Sequence, residues 1–146
     1  FGIDLVKEQI CVASGEGLSF SQNTLKPKGH AIECRINAER LPTFSPSPGN
    51  IKEFHSPGGI GIRMDSAIYN GFTVPPHYDS LIGKLIVHAE DRPMAIRRLA
   101  RALDELIIDG VYTTLDLFKE ILNEEHFKSG EYNIHWLENW LTHQVQ

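Results

Sequence analysis

Apolar residues recur along the chain at the three-to-four-residue spacing of a helix and at the two-residue spacing of a strand. The helical spacing comes first. Between residues 4 and 14 they share one side at intervals typical of a helix, and Gly15 is a plausible stop, so this segment is predicted to be helical. Residues 15–29 are polar and contain several Gly, Ser and Pro residues, which is typical of a connector.

The spacing changes to two at residue 30. Over residues 30–38 the apolar side chains face one way and the polar ones the other, as in a half-buried strand; the first set is Ile32, Cys34 and Ile36, and the second is Glu33, Arg35 and Asn37.

Further strands are predicted on both sides of two turns. Residues 50–55 and 60–65 read as strands joined by the turn at 56–59. Asn70-Gly71 is a strong hairpin signal and predicts that residues 67–69 pair with residues 72–74. Residues 81–89 are apolar enough for a buried strand.

The last third is helical. A helix is predicted over residues 92–108, capped by Asp91, and Gly110 fits its stop. Two more are predicted near residues 115–124, capped by Thr113 or Thr114, and near residues 134–142. Strands followed by helices predict an α+β fold in which an antiparallel sheet precedes packed C-terminal helices.

Composition narrows the function classes. The 146 residues suit one domain with a real core, and the net charge of −5 argues against general nucleic-acid binding. No apolar run approaches the roughly 20 residues of a membrane span. Cys11 and Cys34 give neither a disulfide framework nor metal-ligand spacing, so we expect no metal site and a reducing, cytoplasmic setting.

The polar side of residues 30–38 is the most informative local feature. It can be an ordinary solvated sheet face. The alternative is a binding platform with Arg35 as a fixed cation, because a guanidinium offers two-pronged hydrogen bonds to oxygen-bearing ligands and does not deprotonate.

Three other positions stay open on local sequence alone. Asp79, in a turn-rich segment, suits an Asx-turn, a helix cap or a functional loop. Arg63 suits an exposed strand position or an interface. His135, at the start of the last predicted helix, is more typical of a cap or surface residue than of a catalyst.

Six segments together resemble biotin carboxylase. They are residues 29–39 (GHAIECRINAE), 44–49 (FSPSPG), 57–63 (PGGIGIR), 69–84 (YNGFTVPPHYDSLIGK), 105–110 (ELIIDG) and 133–137 (NIHWL). Their order and spacing are similar to those of the family's C-terminal domain, from about residue 2 to residue 141. The resemblance implies residues 1–28 as the tail and connector of a preceding ATP-grasp region, and residues 29–146 as the C-terminal domain.

The implied activity is the ATP- and bicarbonate-dependent carboxylation of biotin on a carrier protein, the first half-reaction of acetyl-CoA carboxylase in fatty acid synthesis. The same domain occurs in propionyl-CoA, methylcrotonyl-CoA and pyruvate carboxylases. The other hypothesis is an isolated, non-catalytic dimerisation or docking module. The resemblance implies that the Mg or Mn ligands and the phosphate-binding lid lie outside this chain, so residues 1–146 alone are expected to be inactive.

The resemblance also implies roles for individual residues. Arg35 matches the arginine that contacts the biotin ureido oxygen, and Asp79 matches an acidic position that orients that arginine. Ile134 and His135 match the segment beside the adenine of ATP, and the pair Ile60 and Arg63 matches the dimer interface, although the family often has an aromatic residue where this chain has Ile60.

The implied partners are the biotin carboxyl carrier protein, carboxyltransferase subunits and a second copy of the full-length enzyme, with no nucleic acid and no membrane.

Overall fold

A three-stranded antiparallel sheet lies at the centre of the computed structural model, which describes residues 1–144. The sheet contains β1 (His30–Asn37), β6 (Ile62–Ser66) and β8 (Leu81–Ala89), and β8 is the middle strand. Alternation explains its two faces, because Cys34, Ile36 and Leu85 point into the core while their neighbours point outward.

Helix α2 (Arg92–Glu105) covers the inner face of this sheet and completes the core. Asp91 caps it by accepting a hydrogen bond from the Met94 N–H at 2.7 Å. The helix buries Ala95, Leu99, Ala102 and Leu103 against the buried strand residues.

Three short ribbons extend the sheet region. They are β2 (Glu39–Arg40) with β3 (Ser45–Pro46), β4 (Gly49–Asn50) with β7 (Thr73–Val74), and β5 (Glu53–His55) with β9 (Ile107–Asp109), all antiparallel.

The remaining helices are α1 (Leu5–Ala13), α3 (Leu115–Ile121), α4 (Glu125–Ser129) and α5 (Trp136–Gln144). Helices α3 and α4 pack on α2, whereas α1 leaves large apolar side chains exposed, among them Leu5, Val6 and Ile10. Among residues 1–144, no helix combines the length and apolar composition needed to cross a bilayer.

The α+β prediction is confirmed, but the predicted hairpin at Asn70-Gly71 is wrong. Residues 73–74 pair with residues 49–50, because the turn at Gly71 brings the chain back to Ile51, whose carbonyl accepts from the Gly71 N–H at 2.7 Å. A distant segment thus takes the place of the local partner.

Helix α2 is shorter than predicted. It ends at Glu105, and residues 107–109, of which 107 and 108 were predicted to be helical, form β9 on β5, leaving Ile107 exposed. The strand predicted over residues 50–55 is correspondingly split between β4 and β5, each with its own partner.

Candidate functional site: a cationic row on the outer sheet face

Three charged residues form a row across the outer face of the central sheet. Arg35 on β1 is directly opposite Lys84 on β8, and Lys84 is directly opposite Asp65 on β6. Directly opposed residues have Cβ atoms roughly 5 Å apart, so the two cations are neighbours. The row places Arg35, which is exposed, beside Lys84, which is half-buried.

The guanidinium of Arg35 is free among the residues that the structure describes. The side chain is exposed, and no described carboxylate lies within 4.0 Å of it. Its backbone is held firmly, however: its carbonyl accepts from the Thr114 hydroxyl at 3.4 Å, and that hydroxyl also accepts from the Asn37 N–H at 3.1 Å. A fixed strand therefore carries a cation that is available to a ligand.

Asp79 holds its own turn. Its Oδ1 accepts a hydrogen bond from the Leu81 N–H at 2.8 Å, which is an Asx-turn at the start of β8. Within residues 1–144 it makes no ion pair with Arg35. The structure thus shows Asp79 in an Asx-turn. Its role in orienting Arg35 stays a prediction.

A groove of about 470 Å³ adjoins the cationic row. It is lined by acidic, basic and apolar side chains, including Asp65, Asp79, Lys84, Phe72, Val74 and Ile82. Arg35 is not part of this lining, but its register partner Lys84 is. Asp79 and Lys84 thus line one groove.

A polar network joins the end of β1 to the segment that carries Asp79. Glu39 Oε1 accepts from Asn37 Nδ2 at 3.0 Å and from the Ser80 hydroxyl. The Ala38 N–H donates to the Ser80 carbonyl at 2.7 Å. These contacts fix the Asp79 turn relative to the strand that carries Arg35.

Arg63 and Ile60 lie at the opposite edge of the sheet. Arg63 forms a two-pronged pair with Asp65, with Nε–Oδ1 and Nη2–Oδ2 distances of 2.8 and 2.7 Å. The hydrogen bond from Arg63 lowers the pKa of Asp65, and the same bond raises the pKa of Arg63, so the pair is charged at neutral pH. Ile60, in the preceding loop, is 92% exposed.

Ile134 and His135 lie just before α5, beyond the other edge of the sheet. Ile134 is 89% exposed, and the His135 N–H donates to Asn133 Oδ1 at 2.9 Å. An apolar pocket of about 220 Å³ separates β1 from this segment, and its lining includes Glu33 and Trp136. Ile134 and His135 thus lie between two lining residues of this pocket, Asn133 and Trp136, without lining it themselves.

Within the described chain, no group of three or more His, Cys, Asp or Glu side chains could hold a metal ion. Burial raises the pKa of the Cys34 thiol to about 12, so this cysteine stays protonated and acts as a core residue.

Lys84 and the Glu39 network are the site residues that the sequence patterns did not reveal. The period of two within residues 81–89 could have found Lys84, because it puts that side chain on the face opposite Leu85. No sequence signal shows which residue of β1 it opposes.

A sequence profile of the biotin carboxylase C-terminal domain matches residues 33–139. The chain belongs to the biotin carboxylase C-terminal domain family. This confirms the resemblance carried by the six sequence segments.

Curated relatives agree with this assignment. The chain is 56% identical over 140 residues to the biotin carboxylase of Haemophilus influenzae, covering 96% of this chain and 31% of the relative. It is 54% identical over 140 residues to a pyruvate carboxylase subunit of Methanothermobacter thermautotrophicus, covering 95% of this chain and 28% of the relative. This biotin carboxylase C-terminal domain thus spans about a third of the length of those proteins.

Solved structures show the same fold. The biotin carboxylase domain dimer of the Hydrogenobacter thermophilus 2-oxoglutarate carboxylase, in complex with MgADP, ADP and bicarbonate, matches with a TM-score of 0.90 and 43% identity. The biotin carboxylase–β,γ-ATP complex from Campylobacter jejuni matches with a TM-score of 0.89 and 45% identity. Each match covers 94% of this chain and 31% of the solved chain.

Proposed function

We propose that this chain is the part of a biotin carboxylase that presents a fixed cation to biotin during its ATP- and bicarbonate-dependent carboxylation. The observation that carries the proposal is the Arg35 guanidinium, exposed on a rigid strand and without a carboxylate partner among the described residues. The reaction is inferred from family membership, and Arg35 is the group of this chain that we propose acts in it.

The role of Arg35 follows from the charge that develops on biotin. When the N1′ proton leaves, negative charge moves onto the ureido oxygen. N1′ then forms a bond to the carboxyl carbon derived from carboxyphosphate, as the C–O bond to the phosphate breaks and inorganic phosphate leaves. A cation that is already in place stabilises the developing charge more than the neutral ground state, which lowers the barrier. The proton acceptor and the phosphate-binding groups belong to the part of the protein outside this chain.

Lys84 supports the same role. It is directly opposite Arg35, so a second positive charge strengthens the attraction for an oxyanion at this face. Asp65 faces Lys84 from the other side and is already paired with Arg63. The positive charge of the row that is not neutralised by a carboxylate therefore lies at the Arg35 end.

Asp79 is proposed to orient Arg35 in the complete enzyme. Its Oδ1 is engaged by the Leu81 N–H, and no described residue donates to Oδ2, so one oxygen remains for a guanidinium. The Glu39–Ser80 contact fixes the turn from which that oxygen projects.

The other roles implied by the family resemblance belong to the proposal as well. Ile134 and His135 line the adenine edge of the ATP site, and the Mg or Mn ligands come from outside this chain. Residues 29–146 form the C-terminal domain, and residues 1–28 are the tail and connector of the preceding ATP-grasp region, which the exposed apolar side chains of α1 support.

Partners follow from the same reasoning. Biotin arrives on a carboxyl carrier protein, the complete enzyme forms a homodimer through Ile60 and Arg63, and carboxyltransferase subunits complete a cytoplasmic acetyl-CoA carboxylase of fatty acid synthesis. The similarity to the Methanothermobacter pyruvate carboxylase chain supports pyruvate as an alternative acceptor. Propionyl-CoA and methylcrotonyl-CoA carboxylases are the further alternatives.

The assay compares the complete protein with residues 1–146 alone. We expect the complete protein to transfer labelled bicarbonate to free biotin only when ATP and Mg²⁺ are present. Residues 1–146 alone should release no phosphate from ATP, because they contain no phosphate-binding loop and, among the described residues, no metal cluster. Phosphate release by residues 1–146, or a complete protein that fixes no label, would overturn the proposal; the second result favours a docking module.

A further inference from the structure

We propose that Arg101 and Glu105 of α2 are positioning residues that hold the loop 58–61 in the shape that presents Ile60 to a second copy of this chain. The inference rests on the proposed dimer interface at Ile60 and Arg63. It explains what holds the interface loop in its shape, which the side chains of Ile60 and Arg63 do not do by themselves.

The first end of the loop is held by two opposite charges. Arg101 Nη2 donates to the Gly58 carbonyl at 2.7 Å, and the Gly58 N–H donates to Glu105 Oε1 at 3.3 Å. Arg101 and Glu105 are themselves paired one helical turn apart, with Nη1 and Oε2 2.7 Å apart. Both backbone polar groups of Gly58 are thus bound to one rigid helix, and we call this arrangement the Gly58 clamp.

The second end of the loop is held against β8. The Gly61 carbonyl accepts from the His88 N–H at 2.8 Å. Gly61 has a φ of +73°, and a side chain there would collide with the His88 carbonyl and the Arg98 guanidinium. At Gly59, with a φ of +113°, a Cβ would lie 3.1 Å from Arg101 Nη2. The loop therefore fits closely against its supports.

Ile60 lies between these two held ends. Among residues 1–144 it is the most exposed of the large hydrophobic side chains, at 92%. An apolar side chain on a loop that is already ordered loses little conformational entropy on association, so more of the burial energy appears as affinity. Arg63, held by Asp65, projects nearby as an ordered polar contact.

A second copy of the chain is the partner that fits. The Hydrogenobacter thermophilus biotin carboxylase domain, which matches this fold with a TM-score of 0.90, is a dimer. In a two-fold dimer each copy presents the same patch, so the clamp acts twice in every interface.

The experiment measures the dimer dissociation constant of the complete enzyme by sedimentation equilibrium. We expect Arg101→Ala to raise it by about tenfold, because two clamps are lost and each charged hydrogen bond contributes on the order of a fewfold or more. Arg101→Lys retains one donor and should fall between Arg101→Ala and the wild type. Arg97→Ala is the matched control, since Arg97 lies one turn earlier on the same helix, is exposed, and makes no hydrogen bond or ion pair with any described residue.

Ile60→Ser separates the two levels of the proposal. If Ile60→Ser leaves the dissociation constant unchanged, the interface itself is wrong. If Ile60→Ser weakens the dimer but Arg101→Ala behaves like Arg97→Ala, the interface stands and the clamp is overturned.

Hydrogen exchange provides a readout that is independent of dimerisation. In the Ile60→Ser background, Arg101→Ala should speed exchange of the Gly58 amide several-fold, while the thermal midpoint stays that of the Arg97→Ala control. Unchanged exchange at Gly58 would contradict the clamp, and so would a loss of stability spread over the whole protein.

Discussion

The side chains of Arg35 and Asp79 differ in whether they already have a partner within the described residues. The guanidinium of Arg35 is free of described partners, whereas one oxygen of Asp79 is bound by the Leu81 N–H. Asp79 therefore has two separable properties: a hydrogen-bond acceptor for the turn and a negative charge for the proposed orientation of Arg35.

Two substitutions at Asp79 separate these properties in the complete enzyme. Asp79→Asn retains an acceptor for the Leu81 N–H but removes the charge, whereas Asp79→Ala removes both. We expect Asp79→Asn to lower kcat for biotin carboxylation at least tenfold with little change in thermal midpoint, since charge-assisted contacts contribute about 1.5–3 kcal/mol. Asp79→Ala should lower both quantities. If Asp79→Asn is as active as the wild type, Asp79 serves only the Asx-turn.

At the scale of secondary-structure elements, the strand register brings like charges together. Arg35 and Lys84 are directly opposite on β1 and β8, and only Lys84 has an acidic neighbour, Asp65, on its other side. Like charges in this position destabilise a sheet by about 0.2–1 kcal/mol. A site that binds an oxyanion can accept this cost, because the ligand relieves the repulsion.

The strand register therefore predicts that replacing Arg35 stabilises the fold, although it removes the cation proposed to act on biotin. Arg35→Met keeps an apolar stem but removes the repulsion with Lys84, so the free energy of unfolding of this chain should rise by a few tenths of a kcal/mol, up to about 1. Urea denaturation measures it, with Arg97→Met as the control for removing an exposed arginine. A decrease larger than the control would mean that Arg35 makes stabilising contacts that the sheet geometry does not explain.

Sequence patterns located most elements because those elements depend on their own residues. Alternation over residues 30–38 placed Arg35 on the outer face correctly, and Asp91 marked the start of α2. The same reasoning failed at Asn70-Gly71 and after Glu105, where strands β7 and β9 pair with β4 and β5 from much earlier in the chain. Pairing between distant segments depends on tertiary packing, to which local propensity is blind.

The candidate site divides in the same way. Local sequence singled out Arg35, Asp79 and Arg63 but left their roles open, and the family resemblance supplied those roles and added Ile60. The contacts of Lys84 and of the Gly58 clamp required the strand register and the position of α2.

At the scale of the whole molecule, three surfaces of the domain carry the residues for which we propose different tasks. The Arg35 face and the groove with Asp79 lie on the outer sheet face, and Ile60 lies on a loop held by α2. Ile134, near the pocket beyond β1, is almost fully exposed. The same core thus carries three surfaces, for which we propose binding of biotin, a second copy and the nucleotide.

The most direct test is the effect of Arg35→Ala on the complete enzyme, measured as kcat/KM for biotin at saturating ATP and bicarbonate. We predict a fall of about 10²–10³-fold, from the loss of roughly 3 kcal/mol of transition-state stabilisation. The nucleotide dissociation constant should not change, and Arg97→Ala should match the wild type. Unchanged carboxylation, or an equal loss of nucleotide affinity, would contradict the assigned role of Arg35.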